Sequence, residues 1–386
     1  MTTFNPLDAV QSLIEEVARR GNEIEAARRL PPDLAGKMAS AGLFRMLLPK
    51  TMAGHETPPT ELALAIETMA QGDASTGWCL MIGATTAFMA ARMELDAARE
   101  VFGAPKTIAA GVFAPMGKAT DDGDHWKVSG RWQWGSGAQN ADWIAGGAVL
   151  TGPDGKPQLD ADGQPRHRMM IFKASEVELI DTWRTSGLCG TGSLDFAVKE
   201  VRVPKARSVA LHEDAPTLKG PLYKFPAFGM LALGVAAVAL GNARGALMIA
   251  GGMAQQKKQQ GSQRTLAERN TTQTDFARQV AALSAARAHY FECIGVLWAA
   301  LEAGQDPTLE QRNRLRLACA HAAHVSADVA RFAYDMMGGG AVFLENPLQR
   351  RFRDAHVITH HAMVAPSIFE LTGRILLGQP TRDALL

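Results

Sequence analysis

The stretch of the chain richest in groups that bind anions or move protons runs from residue 338 to 378. It holds a triple glycine, a basic run followed by an acid, and three histidines, which are Gly338, Gly339, Gly340, Arg350, Arg351, Arg353, Asp354, His356, His360 and His361. Glycines let backbone amides approach a phosphate, and histidine titrates near neutral pH. We therefore predict acid–base chemistry here. A helix C-cap followed by ion pairs at a subunit interface would explain the same residues.

Two further segments combine glycines with hydroxyls or aromatic rings. The first, WQWGSGAQNADW, closes a predicted strand and offers a planar ligand its indole rings, its free amides and a hydroxyl that can donate to a ring nitrogen, from Trp134, Gly135, Ser136 and Gly137. The second is the loop Gly190-Thr191-Gly192-Ser193, where Thr191 and Ser193 suit a polar or anionic ligand. Each segment is also compatible with an ordinary turn beside a sheet core.

Composition excludes several classes of protein. The chain has 386 residues, 47% of them hydrophobic, and a net charge of +1, which argues against a nucleic-acid partner. Four dispersed cysteines form no CxxC pair, and the histidines lack metal-ligand spacing, so we predict no disulfide, no metal and a cytoplasmic location. The apolar run from Phe225 to Gly241 contains a proline and is shorter than the roughly 20 residues that a bilayer helix needs, so we predict a buried helix and no membrane span.

Hydrophobic periodicity divides the chain into three parts. Residues 1–105 show helical spacing, residues 106–215 show short alternating runs between turn residues, and residues 216–386 return to long helical patterns. We predict an α+β protein with an N-terminal helical domain, a middle antiparallel sandwich or barrel, and a C-terminal four-helix bundle. The polar segment around residues 151–168, with two Asp-Gly pairs, is predicted to be an exposed hairpin.

In this order and on a chain of this length, these segments resemble the acyl-CoA dehydrogenase superfamily. PPDLAGKMASAGLFRMLLP is similar to its N-terminal helices, and WQWGSGAQNADW to its flavin-facing strand. GTGSLDFAVKEVRVP resembles the last strand before the bundle, and GGGAVFLENPLQRRFRDAH the glycine loop and Arg-Asp helix. The resemblance covers nearly the whole chain and implies the acyl-CoA dehydrogenase-like fold.

The dehydrogenases of this superfamily use a glutamate to remove a proton from an acyl thioester. In the common arrangement it lies eight residues after the Arg-Asp aspartate, which here is Ala362. In others it lies on the first bundle helix, where the stretch PAFGMLALGVAAVALG contains no acid. Glu370 is two helical turns further on. Because neither usual base is present, the resemblance favours the other branch, the two-component flavin monooxygenases of group D.

The group D resemblance implies a specific chemistry. A separate reductase supplies reduced flavin, which reacts with O2 to give a C4a-hydroperoxide that oxidises a small, aromatic or apolar substrate. Ser136 would hydrogen-bond near flavin N5, and His361, eight residues after Arg353, would move a proton. The flavin would lie against Trp134–Gly137, Thr191, Ser193 and Gly338–Gly340, and the substrate against Trp78, Thr86 and Phe228. The superfamily is usually tetrameric, so a homotetramer is expected.

Departures from the family pattern leave alternatives open. The helix after Trp78 lacks the histidines of many phenol hydroxylases, which leaves amines, indoles, polyketides and thioethers as possible substrates. Asp335 stands where FAD enzymes carry a glutamine, so FMN and FAD both remain open, and Arg264 or Lys257 would meet the phosphate. An acyl-CoA dehydrogenase-like oxidation and a flavin-binding protein without this chemistry are the two other hypotheses.

Overall fold

The predicted order of helices, then strands, then helices is what the chain adopts. A computed structural model describes residues 4–211, 213–381 and 386. The fold is acyl-CoA dehydrogenase-like, with helical N- and C-terminal parts around a β-sheet, as the resemblance implied. The domain limits at residues 105 and 215 remain predictions, and they fall between the last N-terminal helix and the first strand and between the last strand and the first bundle helix.

The described residues from 4 to 105 form six α-helices: α1 (Pro6–Arg19), α2 (Gly21–Ala27), α3 (Pro32–Ser40), α4 (Pro59–Gly72), α5 (Ala74–Thr86) and α6 (Leu95–Phe102). Three of them begin on a proline, whose missing N–H costs nothing in the first turn. Asp73 separates α4 from α5 and caps α5, because its carboxylate accepts the N–H of Thr76 at 2.8 Å. This cap fixes the direction in which α5 leaves α4.

In the part of the chain that the structure describes, seven strands form one sheet: β1 (Ala109–Asp122), β2 (His125–Gly135), β3 (Trp143–Thr151), β4 (His167–Lys173), β5 (Glu178–Ile180), β6 (Leu194–Pro204) and β7 (Ser208–Val209). Their order is β5-β6-β2-β1-β3-β4-β7. The prediction of a wholly antiparallel domain was wrong, because β1 and β3 pair in parallel. The chain leaves β2 at Gly135 and crosses over before β3, and only such a crossover allows parallel pairing. The polar segment after β3 forms the predicted exposed turns.

The C-terminal part contains α7 (Ala227–Ala254), α8 (Asn270–Glu302), α9 (Leu309–Met336), α10 (Pro347–Thr359) and α11 (Ser367–Leu376). Helix α7 runs close against α4, and a Cβ added at Gly241 would lie 2.1 Å from the carbonyl oxygen of Glu67, so only glycine fits there. The segments 74–92 and 227–254 are long and apolar enough to cross a membrane, but 89% and 83% of their most apolar windows are buried in the fold. Such burial is typical of core helices.

Helix α10 is attached to the N-terminal helices by the arginines of the basic run. The guanidinium of Arg351 donates to three carbonyl oxygens at the end of α4, those of Ala70, Gln71 and Gly72, at 2.6–2.8 Å. These carbonyls have no partner within their own helix, and they carry the negative end of its dipole. Arg353 pairs with Glu25 of α2 at 2.5 Å. The basic run therefore forms the predicted charge network, but its partners are protein groups.

Candidate active site

Four hydrogen bonds connect the two Gly- and Ser-containing segments that the sequence singled out. The indole Nε1 of Trp78 on α5 donates to Ser136 Oγ at 3.0 Å. Ser136 Oγ lies 2.5 Å from Ser193 Oγ, which lies 2.7 Å from Thr191 Oγ1. The Thr191 hydroxyl in turn lies 2.8 Å from the carbonyl oxygen of Leu188. Ser136, Thr191 and Ser193, predicted separately, therefore form one buried cluster.

The two ends of this chain determine the direction of its protons. An indole N–H can only donate and a carbonyl oxygen can only accept. Thr191 must therefore donate to Leu188, Ser193 to Thr191, and Ser136 to Ser193. Ser136 was expected to donate to a flavin nitrogen, but its proton is already used. What its oxygen retains is a lone pair, so Ser136 can accept a hydrogen bond from a ligand N–H.

The loop that carries Thr191 is held in place from α10. The backbone N–H of Leu188 donates to a carboxylate oxygen of Asp354 at 2.6 Å, and Leu188 has a φ of +50°, which side-chain-bearing residues rarely adopt. Burial raises the pKa of the Asp354 carboxyl to about 7, although the Leu188 N–H and the neighbouring arginines act to lower that pKa. The Arg-Asp motif thus supports the hydroxyl cluster from behind.

The surroundings of Ser136 fit a flavin. A cleft opens beside Ser136 and Gly137, and Cys79, Ile82 and Gly83 of α5 also line it. Gln139 contributes a buried amide oxygen that accepts no hydrogen bond from the described residues. That oxygen lies beside Gly192 of the loop that carries Thr191. At the pocket itself, Ser136 Oγ keeps one lone pair, and the ring system of a flavin offers N–H donors to such a group.

Trp134 adds an exposed aromatic ring on the same segment. It is 58% exposed and has a φ of +66°, a strained value for a tryptophan. The turn is closed by the N–H of Ser136, which donates to the carbonyl oxygen of Trp134 at 2.8 Å. An exposed indole held in a strained conformation beside a binding hydroxyl is suited to stacking on a planar ligand.

His361 reaches this cluster through Trp78. The two rings lie 5.2 Å apart, edge to face. Burial, and after it the charge of Arg316, lowers the pKa of His361 to about 4, so its imidazole is neutral at pH 7. Nδ1 lies 3.3 Å from the backbone N–H of Met363, which places the ring proton on Nε2. The order of contacts is therefore Ser136, Trp78, His361.

Other predicted site residues lie elsewhere. Gly338–Gly340 and Arg264 are exposed, and Gly340 adjoins Lys257, whose Nζ donates to the carbonyl oxygen of Met337. None of their described contacts reaches Ser136. The predicted flavin residues therefore divide into the buried cluster around Ser136 and an exposed edge, which consists of Gly338–Gly340 and Arg264. Thr86 lies at the far end of α5, against Gly111 of β1.

Phe228 leads to a residue that the sequence reading missed. Its ring packs on Phe113 with centroids 4.9 Å apart, and its carbonyl oxygen lies 3.4 Å from the guanidinium of Arg316 on α9. Arg316 was overlooked because arginines recur at positions 312, 314 and 316, as on a solvated surface. Its spacing from Cys319 and Ala323, both buried, was the available signal, because residues three and seven apart share a helix face.

Over residues 4–211, 213–381 and 386, no three His, Cys, Asp or Glu side chains are grouped to hold a metal.

Comparisons with known proteins agree with this geometry. The acyl-CoA dehydrogenase N-terminal domain matches residues 7–95, and the acyl-CoA dehydrogenase C-terminal domain matches residues 233–366. An indole-3-acetate monooxygenase of Pseudomonas putida is 32% identical, with 96% of this chain and 94% of that protein aligned. A flavin-dependent monooxygenase, oxygenase subunit HsaA, of Mycobacterium tuberculosis is 30% identical over 98% and 97%. The crystal structure of HsaA monooxygenase from M. tuberculosis has a TM-score of 0.90 at 27% identity, over 100% of both chains.

The chain therefore belongs to the acyl-CoA dehydrogenase family. Within that family it is an oxygenase component of the flavin-dependent monooxygenases, which confirms the predicted branch, the enzyme class and the flavin cofactor. A two-component organisation of this kind implies a separate flavin reductase and a small-molecule substrate.

Proposed function

We propose that this oxygenase uses O2 to oxidise a small aromatic substrate held beside Ser136 and His361, which Trp78 connects. The observation that carries the proposal is the contact order Ser136, Trp78, His361, which joins a hydroxyl at the flavin pocket to a neutral imidazole. The aromatic substrate class is supported by the names of the relatives, which include an indole-3-acetate monooxygenase. Reduced flavin, when bound, supplies the electrons that activate O2.

The proposed role of Ser136 follows from the direction of its hydrogen bonds. Its oxygen accepts from Trp78 and its proton goes to Ser193, so it offers a ligand only an acceptor. The central ring of a reduced flavin carries an N–H where the oxidised form has a bare nitrogen. Ser136 would therefore bind the reduced cofactor in preference to the oxidised one, as an enzyme that receives its flavin from a separate reductase requires.

His361 would position the substrate. A neutral imidazole whose pKa is about 4 is a weak base, and its Nδ1 faces the N–H of Met363. Its Nε2–H is the group left to donate a hydrogen bond to a substrate oxygen or nitrogen. The alternative of an acyl-CoA dehydrogenase receives no support here, because residue 362 is alanine and Glu370 is exposed on α11.

The exposed edge beside the triple glycine is proposed to be a subunit contact of a homotetramer. Val342, Phe343 and Leu344 follow it directly and are 60%, 64% and 76% exposed. Three consecutive exposed apolar side chains are unusual on a monomer surface and typical of an interface. A cytoplasmic location is likewise proposed, and the four free cysteines of the chain support it.

Anaerobic titration with reduced and oxidised FMN and FAD tests the role of Ser136. We expect tighter binding of the reduced form by the wild type, and we expect Ser136→Ala to lose most of this preference and to release more H2O2 per O2 consumed. Ser129→Ala is the matched control, because Ser129 is an exposed serine on β2, the strand that leads to Ser136, where its hydroxyl accepts the N–H of Glu200. Equal wild-type affinity for the two redox states would contradict the proposal.

A further inference from the structure

Arg316 is a buried cation whose guanidinium has few hydrogen-bond partners. It is 1% exposed, and its Nε is buried without a hydrogen-bond partner among the described residues. Its guanidinium makes two long contacts, 3.4 Å to the carbonyl oxygen of Phe228 and 3.5 Å to the sulfur of Met363. A buried charge is very unfavourable unless it is paired and hydrogen-bonded, and arginine does not escape by losing its proton.

Two other buried arginines, Arg351 and Arg45, are satisfied, and a third, Arg207, has unbonded nitrogens but lies 3.9 Å from the carboxylate of Glu100. Arg351 donates to three carbonyl oxygens and to the side-chain oxygen of Asn242. Arg45 donates to four carbonyl oxygens, at 2.5–3.1 Å. The fold is thus able to surround a buried guanidinium with acceptors, and it does not do so at Arg316. Because buried polar groups in proteins are nearly always bonded, the free donors of Arg316 suggest a partner that the chain does not supply.

The location of Arg316 relates it to the substrate side of the site. Met363, which contacts the guanidinium, also gives its backbone N–H to His361, and the charge of Arg316 acts on the His361 ring. Phe228, the other contact, is an apolar residue on the first turn of α7. Ser136 lies at the opposite end, beyond Trp78. A molecule oxidised near Ser136 would therefore point its far end at Arg316.

We propose that Arg316 binds a carboxylate of the substrate, so that this enzyme acts on an aromatic acid. A guanidinium pairs with a carboxylate through two parallel hydrogen bonds, and the apolar neighbours Phe228 and Met363 suit an organic acid better than a phosphate. The inference rests on the proposed function, since it takes His361 and Ser136 to border the substrate. It adds the charge of the substrate and the residue that recognises it.

A matched pair of ligands tests this on the unmodified protein. Indole-3-acetate and its neutral amide, indole-3-acetamide, have nearly the same shape and differ in charge. Isothermal titration of the wild-type protein should give at least about tenfold tighter binding of the acid, because hydrogen bonds to charged groups are the stronger ones. Equal affinities for acid and amide would overturn the proposal. So would inorganic phosphate that competes with the acid, because Arg316 would then be an anion site for phosphate groups.

Variants identify the residue responsible. Arg316→Met should bring the acid-to-amide ratio close to one, and Arg316→Lys should keep part of the preference. Arg314→Met is the matched control. Arg314 is a partly exposed arginine two residues away on α9 that pairs with Glu292 at 3.2 Å, and its loss should leave the acid-to-amide ratio unchanged. An acid preference that survives in a folded Arg316→Met would also overturn the assignment. If that variant does not fold, the wild-type ligand pair decides.

Failure of this inference is distinguishable from failure of the proposed function. Binding of reduced flavin by the same preparations reports on the Ser136 cluster and does not involve Arg316. If reduced flavin binds preferentially and the acid shows no advantage over the amide, the proposed oxygenase function stands and the carboxylate assignment falls. If neither redox preference nor acid preference is found, both fall.

Discussion

Trp78 donates a hydrogen bond from its indole nitrogen to Ser136 Oγ at 3.0 Å, across a separation of 58 residues in sequence. This bond occupies one acceptor position of the serine, whose hydroxyl proton is directed to Ser193 by the hydrogen-bond chain that ends at the Leu188 carbonyl oxygen. The same indole ring contacts His361. Trp78 thus holds the Ser136 oxygen in place and connects it to His361.

Replacement of Trp78 by phenylalanine should keep the ring packing and remove the N–H. The Leu188 end of the chain would still direct the Ser136 proton to Ser193, but the Ser136 oxygen would lose the donor that holds it in place at the pocket. The preference for reduced over oxidised flavin should therefore fall by about fivefold to tenfold, the value of one neutral hydrogen bond of about 1 kcal/mol. Anaerobic fluorescence titration measures both affinities. Trp126→Phe is a suitable control, because its indole nitrogen bonds Ser208 instead, on another part of the sheet. An unchanged preference in Trp78→Phe would show that the hydrogen bond from Trp78 to Ser136 is irrelevant to flavin binding.

The depressed pKa of His361 predicts how stability depends on pH. The folded protein keeps this imidazole neutral down to about pH 4, whereas an unfolded chain protonates it near 6.5. Between these values the unfolded state binds more protons, so stability is lost as pH falls from about 6.5 to about 4. His361→Gln should be less sensitive to acid in that window and similar to wild type above pH 7. Thermal unfolding from pH 4 to 8 measures this, and parallel curves for the two proteins would refute it.

His361 should also contribute to turnover without titrating near neutrality. We expect His361→Ala to reduce coupled product formation substantially and to leave the affinity for reduced flavin nearly unchanged, because the substrate loses its hydrogen-bond donor. His361→Gln, which retains an N–H donor, should recover part of the lost rate. If His361→Ala forms product at the wild-type rate, the histidine has no role in the reaction.

Arg351 predicts a large effect on stability. Replacement by methionine would leave the carbonyl oxygens of Ala70, Gln71 and Gly72 buried without their donor, and we expect a loss of about 3–5 kcal/mol in the free energy of unfolding. Urea denaturation followed by circular dichroism measures it. Arg331→Met on α9, which removes an exposed arginine, should cost less than about 0.5 kcal/mol. A similarly small loss for Arg351→Met would mean that water satisfies these carbonyl groups.

The exposed apolar residues after the triple glycine predict an interface that a single charge can disrupt. Phe343→Asp should convert a homotetramer into smaller species, because an aspartate at a buried contact loses its hydration. Light scattering coupled to size-exclusion chromatography reports the mass. Leu95→Asp, at an exposed leucine of α6, serves as the control. If the wild type is monomeric, or if Phe343→Asp keeps the wild-type mass, residues 342–344 are not a subunit contact.

Local patterns in the sequence were sufficient for the architecture and for part of the site. Helical spacing, proline starts and turn residues depend on near neighbours, so the order of helices and strands was predictable, and Ser136, Thr191, Ser193 and His361 could be chosen as candidates from their residue types and positions. The missing carboxylate at Ala362 separated the oxygenase branch from the dehydrogenases before any contact was known. That conclusion needed only the register of the Arg-Asp motif.

Relations between distant segments were decided by the tertiary structure alone. Parallel pairing of β1 with β3 depends on a crossover, and no local pattern encodes it. Whether Ser136 donates or accepts depends on Trp78 and Leu188, which different elements bring to the same cluster. Arg316, one of three closely spaced arginines in the sequence, is buried by the packing with its Nε unpaired among the described residues. A residue type states which bonds a side chain is able to make, and the fold determines which of them remain free for a ligand.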